Sequence, residues 1–168
     1  MKARAKRVTL KGETRHRHEA DALLAGPGTA VVVHRNVDRS LVMACPDGCG
    51  EVLTINLDPR AGKAWRLYRE RRGTSLFPSV WRDTGCKSHF ILWRSQIYWC
   101  DYDEELEEHN EQLEDRIAAL LTSSFRPYTE IAGELNEVPW DVLVACRRLV
   151  KRRLAEAGTK KHQGSYRR

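Results

Sequence analysis

The sequence predicts an α+β protein, a small zinc-stapled antiparallel β domain followed by a three-helix, helix-turn-helix-like unit. Three observations lead there. Short apolar or alternating runs punctuated by Gly, Pro and Asp turns fill residues 29–99. The apolar period changes from two to about 3.6 beyond Asp101. Cysteines and a histidine with metal-ligand spacing stand in polar turns beside the predicted strands.

Taken in order, residues 1–18 form a basic segment with seven Lys/Arg against one Glu. Glu19 to Leu24 suits a short helix that stops at Gly26-Pro27-Gly28, a turn signal. The β domain, residues 19–101, then offers strands at Thr29–His34, Ser40–Ala44, Glu51–Leu57, Ala64–Arg69, Ser75–Phe77, His89–Trp93 and Gln96–Trp99, read as an antiparallel meander. Residues 102–158 form the helical unit. Its first helix is expected near Asp103, whose carboxylate would cap exposed N–H groups, with Leu106, Leu113, Ile117 and Leu120 on one stripe. A second helix carries Tyr128, Ile131, Ala132 and Leu135. A third opens at Pro139, where the missing N–H costs nothing, and buries Leu143, Cys146, Val150 and Leu154 before stopping at Gly158. Residues 159–168 read as a basic disordered tail.

No run approaches the length of a membrane span, and the basic start is not followed by an apolar signal region, so a cytoplasmic protein with no membrane partner is expected. In that compartment five cysteines argue for metal binding rather than disulfides. Cys45-Pro-Asp-Gly-Cys49 places two thiolates around a Pro/Gly turn, and Cys86-Lys-Ser-His89 supplies a third thiolate and an imidazole. Cys45, Cys49, Cys86 and His89 therefore form a closed tetrahedral site for one structural zinc ion, with Cys100 as the alternative fourth ligand. Cys146, on an apolar helical stripe, belongs to the core.

The runs Cys45-Pro-Asp-Gly-Cys-Gly-Glu51 with Asn56-Leu57, and Ser79-Val-Trp-Arg82 with Thr84-Gly-Cys-Lys-Ser-His-Phe90, resemble a bacterial family of unknown function. The resemblance covers about residues 20–100. Its members are often encoded beside ubiquitin-like proteins and the E1-like and E2-like enzymes that activate and conjugate them. It implies a ubiquitin-like conjugation or antiviral defence setting and a metal site at the four residues already named, and it supplies no enzymatic activity.

The leading expectation for function is a non-catalytic zinc-binding adaptor, presenting Trp65, Tyr68, Trp81, Trp93, Tyr98 or Trp99 to a ubiquitin-like or E2-like protein partner. The alternative is DNA or RNA binding through the helices. Trp140, Asp141 and Val144 would then face base edges, and the basic run Arg147, Arg148, Lys151 and Arg152 would meet the phosphate backbone. Catalysis is the least supported reading. Ser88, His89, Cys100, Asp101 and Asp103 have suitable chemistry, but no spacing links them into a triad.

Overall fold

The computed structural model describes residues 3–102 and 104–168 and divides into two compact units, Met1–Glu104 and Glu105–Arg168. The architecture is mixed α+β. No described helix is long and apolar enough to cross a membrane.

The first unit is built from two four-stranded sheets. One contains β1 (Thr9–Thr14), β2 (Thr29–Arg35), β3 (Val37–Ala44) and β4 (Val52–Asn56) in that order; the other contains β5 (Arg66–Glu70), β6 (Gly73–Trp81), β7 (His89–Trp93) and β8 (Gln96–Trp99). Within each sheet the neighbours pair antiparallel, except that β1 runs parallel to β2. The seven expected strands are thus present, split between two sheets rather than joined in one meander. Their inner faces share one core, with Ala30, Val32, Leu41, Met43 and Ile55 from the first sheet meeting Leu76, Phe90, Leu92, Ile97 and Trp99 from the second.

The continuous apolar run Ala30–Val33 reflects burial on both faces of β2. Ala30 and Val32 enter the shared core, while Val31 and Val33 pack with Val42, Ala20 and Leu24 on the other face. Ala20 ends α1 (Arg17–Ala20), a single turn whose Glu19 carboxylate accepts from the Arg15 and His16 backbone N–H groups.

The basic N-terminal segment is part of this fold and not a free arm. The Val8 N–H donates to the Ser95 carbonyl and the Ile97 N–H to the Lys6 carbonyl, so residues 6–8 lie along the β8 side before the chain enters β1. Arg4 pairs with Asp47 at 2.6 Å and covers the Trp99 ring. β1 escaped the sequence reading because its residues, Thr-Leu-Lys-Gly-Glu-Thr, show no apolar alternation, as an exposed edge strand need not.

The second unit contains α2 (Glu111–Leu120), α3 (Tyr128–Leu135) and α4 (Pro139–Lys151), with a small sheet of β9 (Arg126–Pro127), β10 (Glu156–Ala157) and β11 (Ser165–Arg167) in the order β10-β11-β9. Asn110 caps α2, accepting from the Leu113 N–H at 3.1 Å, so the helix starts well after the expected position; Asp103 itself lies outside the described residues. The third helix ends at Lys151 and not at Gly158, because Arg153 turns left-handed (φ 60°) and the N–H of Leu154 reaches back to the Leu149 carbonyl, a Schellman stop. Leu154 is therefore 49% exposed instead of buried. The expected disordered tail is also ordered, since β11 pairs with both β9 and β10 and buries Tyr166.

A buried charge organises this unit. Glu114 on α2 is fully buried and accepts from Arg148 Nε at 2.8 Å and Arg152 Nη1 at 2.6 Å. Burial by itself would push the Glu114 carboxyl up, but the two guanidinium hydrogen bonds outweigh it and hold the group below its ordinary value. Its stabilising effect is present at neutral pH and is lost as pH falls through the lowered folded-state value. Glu114→Gln should cost about 2–3 kcal/mol, less than a fully buried pair because both arginines are partly exposed. Thermal melts from neutral to acid pH check this: the wild type should lose stability on acidification more steeply than the variant.

Candidate functional site

Two hairpin loops, one from each sheet of the first unit, meet at the cysteines. The β3–β4 loop carries Cys45 and Cys49. It is closed by the Cys45 N–H donating to the Glu51 carbonyl and the Gly48 N–H to the Cys45 carbonyl. Gly48 takes φ 80°, a left-handed geometry that glycine adopts without strain. The β6–β7 loop carries Cys86, and the Arg82 N–H bonds the Ser88 carbonyl across its base. Gly85 in this loop takes φ 62°, which strains any other residue, and a Cβ there would lie 2.9 Å from the Glu51 carboxylate of the opposing loop, which would have to shift.

The Sγ atoms of Cys45, Cys49 and Cys86 all lie within 4.8 Å of one another, and this trio could hold a metal ion. The Cys45–Cys86 separation is 3.7 Å. Two thiolates bound tetrahedrally to zinc at about 2.3 Å would be separated by about 3.8 Å, so the donor set and spacing are compatible with zinc. Arg82 stands over the trio, with Nη1 3.2 Å from Cys86, 3.7 Å from Cys49 and 3.9 Å from Cys45, and it also pairs with Glu51. Burial raises the Cys45 thiol to about 11. Burial also acts to raise Cys86, but hydrogen bonding from Ser88 and the adjoining thiols outweighs it and brings that group down to about 7.

His89 is not brought into this group. It sits in β7, where its Nε2 lies 3.0 Å from Ser79 Oγ. Cys100, the alternative fourth ligand, lies in a short turn after β8 and is also outside the trio. Cys146 is a core residue of α4, its thiol pushed up to about 12 by burial. Ser88 belongs to the cysteines rather than to His89: it is buried, and its Oγ lies 3.3 Å from Cys86 Sγ and 3.9 Å from Cys45 Sγ.

The Ser79–His89 pair is the feature that the sequence reading missed. In the β6–β7 ladder Leu76 pairs with Leu92 and Val80 with Phe90, so β6 carries two extra residues in that interval and bulges. Ser79 stands in the bulge, next to Pro78, whose peptide bond with Phe77 is cis. Bulges re-aim side chains and recur beside active sites. The one available sequence signal was Pro78 inside an apolar run, which implies a bulge or an edge.

The Trp65 indole donates to the Ser79 carbonyl at 3.3 Å and holds the backbone there. Trp81 pairs with His89 across the strands; its ring lies 6.0 Å from the imidazole and is 72% exposed. Trp93 and Trp99, also expected as interface aromatics, are core residues at 2% and 5% exposure. A cavity of about 360 Å³ adjoins the cysteine loop at Cys45, Gly48 and Glu51, and neither Ser79 nor His89 lines it.

The basic run of the second unit is divided. Arg148 and Arg152 are engaged by Glu114, whereas Arg147 and Lys151 are exposed and in no ion pair among the described residues. Trp140, Asp141 and Val144, expected to face base edges, are buried at 5%, 4% and 3% exposure. Direct base reading by these three is therefore excluded.

No curated protein and no solved structure matches the chain. Residues 15–100, the stretch that contains both hairpin loops and the Ser79–His89 pair, match a family described as "BubE: Bacterial ubiquitination-like system serine protease". As the match takes in just over half of the 168 residues, the chain belongs to the BubE family.

Proposed function

We propose that this protein is a serine hydrolase that cleaves conjugates of a ubiquitin-like protein, with Ser79 as nucleophile and His89 as general base. The observation that carries the reading is the 3.0 Å approach of Ser79 Oγ to His89 Nε2 on a strand bulge, within the stretch that matches a family whose name specifies a serine protease. With the imidazole proton on Nδ1, Nε2 accepts from the Ser79 hydroxyl and takes its proton as Oγ attacks the carbonyl carbon of the scissile bond. The imidazolium then protonates the leaving group. A water molecule, deprotonated by the same nitrogen, releases the acyl group and restores the serine. No carboxylate among the described residues hydrogen-bonds His89, so the pair acts as a dyad, with the Trp81 ring beside the imidazole. Exposed Trp81 is suited to receive the polypeptide on the acyl side of that bond.

Cys45, Cys49 and Cys86 would hold a structural zinc ion joining the loops of the two sheets, which keeps β6 and β7 in register near the dyad. The ion takes no part in the proton transfers. The setting is a cytoplasmic ubiquitin-like system, and the protein partner is the ubiquitin-like protein itself.

A fluorophosphonate probe followed by peptide mapping tests the proposal. Modification should fall on Ser79 in the wild-type protein and vanish in His89→Ala. Folded protein that remains unlabelled and leaves ubiquitin-like conjugates intact would sink the hydrolase and favour the non-catalytic adaptor.

A further inference from the structure

The second unit lies outside the stretch that matches the family, and its C-terminal third carries a concentration of charge that the hydrolase does not use. Glu156 is the sole Asp or Glu side chain in residues 147–168, and Arg167 engages it at 2.7 Å. Arg147, Lys151, Arg153, Lys160 and Lys161 are exposed, and none is in an ion pair among the described residues.

These cations are set on rigid supports. Arg147, Lys151 and Arg153 occupy the end of α4 and its left-handed stop. Lys160 and Lys161 stand in the loop that joins β10 to β11. That loop is closed by a hydrogen bond from the Gly158 N–H to the Ser165 carbonyl and by a short helical turn at Lys160–His162. Gly158 packs so closely on His162 that a Cβ would fall 2.3 Å from the His162 carbonyl oxygen, and the His162 ring stacks on Phe125 at 4.8 Å. The loop therefore holds its two lysines outward with little conformational freedom left to lose on binding.

Helix α3, a tight turn at left-handed Asn136 and helix α4 are followed by the β10–β11 hairpin, whose basic loop stands at one edge of the small three-stranded sheet. We infer that this unit binds the phosphate backbone of duplex DNA through the end of α4 and the β10–β11 loop. Because Trp140, Asp141 and Val144 are buried, the start of α4 offers no base contacts, and binding is independent of sequence. Each cation that neutralises a phosphate releases counterions, so affinity falls steeply with salt. Five such contacts would give about a 500-fold loss between about 50 and 200 mM salt.

The test is fluorescence anisotropy of the full chain with a labelled random-sequence duplex of about 20 base pairs across that salt range. The wild type should bind with a steep salt slope. Lys160→Glu/Lys161→Glu should weaken binding at the lowest salt by at least about tenfold and flatten the slope by about two, and Lys151→Glu should flatten it by about one. Circular dichroism melts matched to wild type establish that the variants fold. Absence of binding at the lowest salt, or charge-reversed variants that bind like wild type, would overturn the inference. Competition by polyglutamate as effective as by unlabelled duplex would also overturn it, assigning the surface to an acidic protein.

Discussion

Ser79→Ala is expected to lower kcat/KM for cleavage of a ubiquitin-like conjugate by at least about 10³, with unchanged metal content and thermal stability. The magnitude follows from the role. A nucleophile that forms and breaks a covalent bond has no partial substitute, and what remains is the catalysis available from binding alone. His89→Ala should fall by a similar factor, and the double variant should be no worse than either single one, because the two side chains act as one unit. Ser88→Ala supplies the contrast. Its hydroxyl lies against Cys86 and Cys45, so the change should loosen the cysteine cluster and leave turnover within a few-fold of wild type at a temperature where the protein is folded. Steady-state kinetics on the wild type and the four variants check this. If Ser88→Ala is inactive while Ser79→Ala turns over normally, the nucleophile has been misassigned.

Cys86→Ser is the second large effect. It should release the metal and destabilise the first unit by at least about 3 kcal/mol, a fall in Tm of roughly 12 °C or more for a unit of this size. The first unit has a core of its own, so the loss should be smaller than in a zinc finger, where the ion contributes about 10 kcal/mol or more and the apo chain is unfolded. Yet the three cysteines come from two loops on two sheets, and the variant leaves Arg82, Glu51, the buried Cys45 and the exposed Cys49 to hold the loops together. His89→Ala should keep its metal, because the imidazole is engaged with Ser79 and not with the sulfurs. Elemental analysis with calorimetry of wild type, Cys86→Ser and His89→Ala decides between the three-thiolate site and the ligand set that includes His89. Metal lost with His89 would restore the latter and remove the general base from the dyad.

The two predictions separate what the local sequence carries from what it does not. Strands such as Thr29–Arg35 and His89–Trp93 were legible because burial on one or both faces leaves an apolar pattern on the chain itself. The same holds for the cysteine knuckle. A Pro/Gly turn between two thiols is a local device, and its meeting with Cys86 could be anticipated because soft donors in polar turns need a common ligand. β1 was illegible, because a polar edge strand is held by backbone hydrogen bonds that any sequence can make. Arg153 as a helix stop was equally hidden, since a left-handed residue other than glycine or asparagine carries no compositional mark.

The sequence by itself determined seven of the strands, the three main helices, the change of period beyond Asp101, the cysteine half-sites and the basic ends, all of which rest on interactions within a few residues of chain. Tertiary structure decided the partners. It divided the strands between two sheets, gave Arg148 and Arg152 to Glu114, and ordered the last residues against β9. It also gave His89 to Ser79 instead of the cysteines, because a two-residue bulge in β6 turns a serine ten positions away toward the imidazole. An imidazole next to a cysteine loop can serve a metal or a hydroxyl with the same spacing in sequence, and here the strand sets its Nε2 beside the Ser79 hydroxyl.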